Sequence, residues 1–280
     1  MSHVAVIGLA GNSAFLSVDH FHQGGETIQA KAVHFEPGGK GFNAAVAAKR
    51  YGAAVSFLTA VGTEGAESIE QFLKNEGISA TLVKKESGTA FATILTDNEG
   101  RNHVTVFQGA TLTPEDVDGF AKQIAKADVL LLNNEVPEAV NLRAVQIAKA
   151  HGIPVILNPA PARPLDPYLL DNVTLFTPNE HESAGLDEKQ NVIVTLGKKG
   201  CRIRSLDLTL PAINIAPVVD TTGAGDTFNG VLAATLAEGM ELYDAVKTAN
   251  LASSVEVTRK GVMPSIPTKS EIMMYKEKSL

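Results

Sequence analysis

A chain of 280 residues can bury a substantial core and suits one large α/β domain, with at most a small appendage. Its 24 basic and 31 acidic residues give a formal net charge of -7 with no long basic run, which argues against nucleic acid or an anionic membrane as a partner. The single cysteine, Cys201, excludes an internal disulfide framework; with no apolar run of spanning length and no basic leader in Met1 to Gly8, the expectation is a soluble cytoplasmic protein.

Val4 to Leu9 reads as a short apolar strand running into Gly8-Leu9-Ala10-Gly11-Asn12. That turn is like the first turn of a dinucleotide-binding unit, but no G-x-G-x-x-G follows. Residues 15–35 scatter Thr, Val, Ile and Phe among polar positions and break at Gly24-Gly25, as short antiparallel strands do. Glu36-Pro37-Gly38-Gly39-Lys40-Gly41-Phe42-Asn43 then opens an alanine-rich helix, Ala44 to Tyr51. The spacing is not that of a Walker loop. Lys40 either meets a phosphate or a substrate hydroxyl, with Asn43 one turn on sharing its face, or it is a solvated lysine in a glycine turn.

Ala53 to Val61 is nearly all apolar, as a strand buried on both faces should be. A helix over Glu64 to Asn75 carries Ile69, Phe72 and Leu73 at helical spacing and ends at Gly77. Phe91 to Leu95 and His103 to Phe107 flank the turn Asp97-Asn98-Glu99-Gly100 as a hairpin. With the strands near 15–35 it predicts a small antiparallel layer apart from the main sheet. Such a layer can cover a cleft and exclude water, or serve as a dimerisation surface.

Strict α/β alternation resumes at Pro114. Helices are expected over Pro114 to Lys126, capped by Thr113, and over Pro137 to His151. Strands are expected over Asp128 to Asn133, Pro154 to Leu157, Val173 to Phe176 and Asn191 to Thr195. Polar residues recur at the ends of these strands: Glu135, Asn158, Asn179, Glu180, Glu182 and Lys198. In an open parallel sheet those C-terminal edges line the ligand crevice. Asn179 and Glu182 suit a hydrated Mg²⁺ beside phosphates, because hard cations take oxygen ligands, or they are simply exposed loop residues. The seven histidines form no H-E-x-x-H and have no cysteine partner, so zinc is not expected.

The densest motif is Asp220-Thr221-Thr222-Gly223-Ala224-Gly225-Asp226-Thr227-Phe228-Asn229-Gly230, reached through the mostly apolar Ile213 to Val219. It opens a helix running through Glu238. Gly223 and Gly225 let the backbone turn tightly, and first-turn amides without intrahelical partners favour an anion in front of them. Asp226 would repel that anion unless it is there to take a proton, as phosphoryl transfer to an alcohol requires. The alternative is an aspartate that merely caps first-turn amides. Glu241 to Val255 forms a further helix whose apolar or small face is interrupted by Asn250. Thr258-Arg259-Lys260-Gly261 closes that segment, and the charged tail Glu271 to Leu280 is expected to fray.

The Gly38 to Ala44 and Asp220 to Gly230 segments resemble the two defining motifs of the ribokinase-like carbohydrate kinase family, and Leu157 to Pro161, Thr177 to Glu180 and Val257 to Gly261 are similar to its members as well. The likeness spans essentially the whole chain. It implies a single domain over 1–280: a three-layer α/β sandwich with a central, mostly parallel sheet and a small antiparallel β-lid, drawn from about 12–36 and 88–108, through which homodimers form. It also implies ATP- and Mg²⁺-dependent transfer of the γ-phosphoryl group to a primary hydroxyl of a sugar or small polyol. By the resemblance Asp226 is the base and the amides around Gly223, Ala224 and Gly225 stabilise the transferring group. Gly11, Ser13, Gly39, Lys40, Asn43 and Glu135 then fall at the substrate. Asn179, Thr195, Gly197, Gly225 and Asn250 fall at the nucleotide, Glu182 at Mg²⁺ through water, and Asp220 and Thr222 at K⁺.

Two departures bear on function. Ser13 stands where the family carries an aspartate that grips sugar hydroxyls, with Gly11 in place of an asparagine. Only eight residues separate Glu182 from Asn191, where relatives fit a further helix. A nucleoside kinase of the same fold, or a non-catalytic sugar- or nucleotide-binding protein on the same scaffold, remain alternative readings.

Overall fold

The computed structural model describes residues 2–99 and 101–278. Gly100 of the expected hairpin turn, and Ser279 and Leu280 of the expected frayed tail, lie outside the described residues. The apolar runs form a six-stranded sheet in the order Leu175–Phe176, Val155–Asn158, Val129–Asn133, His3–Ile7, Ala54–Glu64, Ser79–Gly88. Every pairing in it is parallel. Alternation along the central strand divides the core: Val4 and Val6 face one side, Ala5 and Ile7 the other. The first side is packed by helices Lys40–Tyr51, Ala224–Ala237 and Leu242–Glu256, the second chiefly by Glu138–Ala150. The result is a three-layer α/β sandwich.

Ile193–Thr195, Cys201–Ile203 and Leu208–Leu210 add an antiparallel extension at the sheet's edge, joined through the Phe176–Val192 and Asn179–Thr195 bridges. The last two of these strands have three residues each, too short to show a periodicity in sequence. A separate four-stranded sheet, the lid, has the order Ala32–Gly38, Gly11–Ser17, Ala90–Thr96, Asn102–Phe107. Its two outer pairs are antiparallel and its central pair is parallel.

Three local features differ from the sequence reading. The expected helix from Pro114 breaks at Phe120 into Pro114–Gly119 and Ala121–Ala125, next to the poor helix former Gly119. A short helix, Pro167–Asn172, starts at the Asp166 cap. The tail is not frayed over its described part: Lys269–Lys278 is helical. Buried Ile272, the Arg259–Glu271 ion pair at 2.7 Å and the Lys269–Glu238 pair at 2.7 Å hold it down. Among the described residues no helix is long and apolar enough to cross a membrane.

Candidate active site

Close backbone approach builds the centre of the site. Gly39 caps the Lys40 helix at φ 104, where a Cβ would sit 2.6 Å from the Leu9 carbonyl oxygen. A Cβ on Gly41 would come within 2.6 Å of the Gly8 Cα, so the helix start abuts the end of the central strand. Across the helix pair, a Cβ on Gly230 would lie 2.3 Å from the Ala44 carbonyl oxygen. Small residues on both helices thus let their backbones nearly touch. That contact brings the first turn of one helix beside the first turn of the other.

Three side chains meet there. Asn43 Nδ2 donates to Asp226 Oδ2 at 2.7 Å, and Lys40 Nζ lies 3.7 Å from Asp226 Oδ1. Asp226 is only 7% exposed, and its Oδ2 accepts from the Asn43 side chain rather than from a first-turn amide. Neither the capping reading of Asp226 nor the solvated-lysine reading of Lys40 describes these contacts. The Asp226 charge, working against burial, raises the Lys40 ammonium above its ordinary value. The Lys40 backbone N–H donates to Glu135 Oε2 at 2.7 Å. Burial first, and then the charge of Asp226, push the Glu135 carboxyl up to about 7, against the pull of Lys40.

The turn before Asp226 uses its glycines differently. Gly223 sits at φ 90 with the Val262 side chain 2.5 Å from where a Cβ would be, so only glycine fits. A Cβ on Gly225 would meet nothing within 4 Å, so the space in front of it is open. The Ala224 N–H bends back 3.4 Å to the Thr221 carbonyl, and the first-turn amides that follow have no intrahelical acceptor. Asn229 stiffens the turn: its Nδ2 donates to the Gly225 carbonyl at 2.8 Å, and its Oδ1 accepts from Thr177 Oγ1 at 2.5 Å. Behind the turn, Asp220 Oδ1 accepts from Thr222 N at 3.0 Å and its Oδ2 from Gly261 N at 3.2 Å.

Glu256 lies next to these groups and was not singled out in sequence. It is 1% exposed, and among the described residues its Oε2 has no hydrogen-bond partner. Its Oε1 is 3.1 Å from the position of a Gly223 Cβ. Burial, then the charges of Asp220 and Asp226, push its carboxyl up to about 9. A signal was present: Ala245, Ala249, Ala252 and Glu256 fall on one helical stripe, where an acid is out of place.

The remaining sequence candidates fall in two groups. Asn179 and Glu182 cap each other, Asn179 N donating to Glu182 Oε2 and Glu182 N to Asn179 Oδ1, both at 2.9 Å. Thr195 is bridged to Asn179, Gly197 follows at φ 55 with open space around it, and Lys40 feels the Glu182 charge. The short stretch after Glu182 holds one 3-10 turn, Glu182–Gly185, rather than a longer helix. Asn250 instead spends its amide on the Pro211 carbonyl at 2.8 Å. On the other side, Gly11 is pressed against Ala90, while Ser13 Oγ and the unpartnered buried Asn43 Oδ1 both border Gly38.

The family profile described as pfkB family carbohydrate kinase matches residues 1–269. A ribokinase of Bacillus subtilis is 36% identical over 292 residues, covering 97% of this chain and 98% of its own. A deoxyribokinase of Salmonella typhi is 33% identical over 300 residues, covering 97% and 98%. Among solved structures, Arabidopsis thaliana ribokinase complexed with ribose and ATP is similar at a TM-score of 0.88 and 26% identity, over 98% of both chains.

Proposed function

The chain belongs to the pfkB family of carbohydrate kinases, and from that premise we propose that it phosphorylates the primary hydroxyl of a pentose with Asp226 as base. Its activity is ATP-dependent phosphoryl transfer to a sugar hydroxyl. The observation that carries the finer reading is the buried Asp226 carboxylate, oriented by Asn43 at 2.7 Å in front of the open turn at Gly225. As the acceptor oxygen bonds to the γ-phosphorus and the bond to the ADP oxygen breaks, the hydroxyl proton passes to Asp226. Lys40 and the first-turn amides stabilise the charge on the moving group.

Glu182 and Asn179 fit a Mg²⁺ held through water, since the Asn179 amide engages Glu182 Oε2 and the carboxylate keeps a second oxygen that would accept from a hydrated cation. Bound there, Mg²⁺ would neutralise charge on the ATP phosphates. Asp220, Thr222 and the backbone at Arg259 to Gly261 fit K⁺, and the orphaned, buried Glu256 oxygen beside them suits a cation rather than an apolar filling. Thr195, Gly197 and Asn250 are assigned to the nucleotide, with Gly11, Ser13, Gly39 and Glu135 to the sugar.

Ser13 cannot give the paired grip of a carboxylate on two sugar hydroxyls, so the pocket discriminates weakly at that end. The relative named deoxyribokinase supports a pocket that does not require every ribose hydroxyl. We expect ribose and 2-deoxyribose both to be turned over. The test is ADP formation across sugars, polyols and nucleosides, with and without K⁺. Turnover of nucleosides alone would favour the nucleoside-kinase reading. Tight binding without turnover of anything would leave a binding protein.

The lid exposes Val33, Phe35, Phe91 and Phe107, which the strand register places on one face. A second copy of this chain is the proposed occupant of that face. The lone buried Cys201 suits a reducing compartment, so the proposed location is the cytoplasm; recovery from an oxidising fraction of cells would contradict it.

A further inference from the structure

Glu36 faces inward from the lid strand Ala32–Gly38, directly across the ladder from Ser13, and is 7% exposed. Its carboxylate leaves the sheet altogether. Oε1 accepts from Val262 N at 3.1 Å and Oε2 from Met263 N at 3.4 Å, with His34 Nε2 3.3 Å from Oε2. The preceding amide of the same loop, Gly261 N, donates to Asp220 Oδ2 at 3.2 Å. Three consecutive N–H groups, at 261, 262 and 263, are thus taken by two carboxylates, one from the lid and one from the turn that leads to Asp226.

The loop's side chains complete the link. Val262 packs so closely on Gly223 that a Cβ there would be 2.5 Å away, and Gly223 begins the Asp226 helix. Residues 261–263 are thus packed directly on the residue that begins the Asp226 helix, and a shift of the loop toward it would press on Gly223. Hydrogen bonds to a carboxylate are about twice as strong as neutral ones, and losing this one strands two buried amides. Glu36 touches no reacting group, so its effect passes through the loop.

We propose that Glu36 is a positioning residue that fastens the lid to the catalytic turn through Gly261, Val262 and Met263, so that seating of the sheet carrying Ser13 and shaping of the Gly223 turn are one event. The inference deepens the proposed kinase reading and rests on it for the role of that turn. Its test uses the full-length protein and the variants Glu36→Ala and Glu36→Gln. In amide hydrogen exchange, Glu36→Ala is expected to speed exchange at 261–263 and also at 220–226, with strands of the main sheet unchanged. Glu36→Gln keeps one acceptor oxygen for one of the two amides and should fall between wild type and Glu36→Ala.

In kinetics with the best sugar, Glu36→Ala should lower kcat/KM for the sugar by about tenfold or more, as expected for a sub-ångström misplacement, and leave the ATP KM nearly unchanged. Faster exchange confined to 261–263, with 220–226 still protected, would overturn the coupling. So would unchanged sugar kinetics despite lost protection. If Glu36→Ala does not fold, an intermediate exchange pattern in Glu36→Gln still supports the link and wild-type protection in it removes the link. The exchange experiment needs no substrate, so failure of the proposed acceptor class is separable from failure of the clasp.

Discussion

The two first-turn motifs and the lid meet the same cleft with opposite construction. Around Asp226, glycine and alanine let two helices touch backbone to backbone; Asn43 and Lys40 reach Asp226 at 2.7 and 3.7 Å, and Glu135 takes the Lys40 amide at 2.7 Å. In the lid, four strands hold each other by ladder hydrogen bonds while leaving Val33, Phe35, Val104 and Val106 more than half exposed. The paired helices of the first region are packed into the main core. The second has no core of its own and depends on what it covers or is covered by. On the proposed reading, catalytic preorganisation and acceptor choice are lodged in parts of different construction.

The most direct way to break this contrast is at Asp226. Asp226→Asn preserves shape and the Asn43 neighbour but removes the proton acceptor, and kcat should fall by about two orders of magnitude or more. Sugar and ATP affinities should change little, because the cradle is set by glycines rather than by the charge. Steady-state kinetics with equilibrium binding measures both; an unchanged kcat would take the base role away from Asp226.

A smaller effect is expected at Glu135, where the rigid region carries electrostatic strain. Its carboxyl is raised from 4.5 to about 7, so the folded state prefers it protonated. The stability associated with that proton is fully present below about pH 4.5, is lost as pH rises toward 7, and is flat above. The ceiling is roughly 3 kcal/mol. Glu135→Gln keeps an oxygen for the Lys40 amide and cannot ionise. Denaturation midpoints at pH 5 and pH 8 should show the variant gaining on wild type at the higher pH; parallel behaviour would remove the assigned strain.

What was legible in sequence follows the same division. The main-sheet strands and the paired helices are long or uniformly apolar, so their periodicity is visible, and the glycine motifs mark positions where a Cβ is impossible. Lys40, Asn43 and Asp226 were identifiable because their chemistry sits inside those motifs. Glu36 and Glu256 were not, since each has its meaning only across the fold: Glu36 from amides 226 and 227 positions away, and Glu256 from burial beside Asp220. The tail helix was missed because its anchors, Glu238 and Arg259, lie outside its own window.

The last test separates two neighbours on one lid strand. Phe35 points away from the cleft at 66% exposure, while Glu36 points toward the loop at 7%. If the outward face is an interface between two copies, Phe35 is its most exposed large apolar residue and the one whose replacement by a charge is tolerated least. Phe35→Asp should then convert a dimer to a monomer in sedimentation velocity at micromolar concentration. A standard interface buries about 800 Å² per partner, and an unpaired charge buried within it costs several kcal/mol. Because Asp226, Asn43 and Lys40 are held by the other region, kcat should stay within about twofold of wild type. A wild type that sediments as a monomer would end the dimer proposal outright. A monomeric Phe35→Asp that loses kcat as severely as Asp226→Asn would instead show that the outward face of the lid, and not only the inward Glu36, governs the catalytic site, and the contrast between the two regions would have to be abandoned.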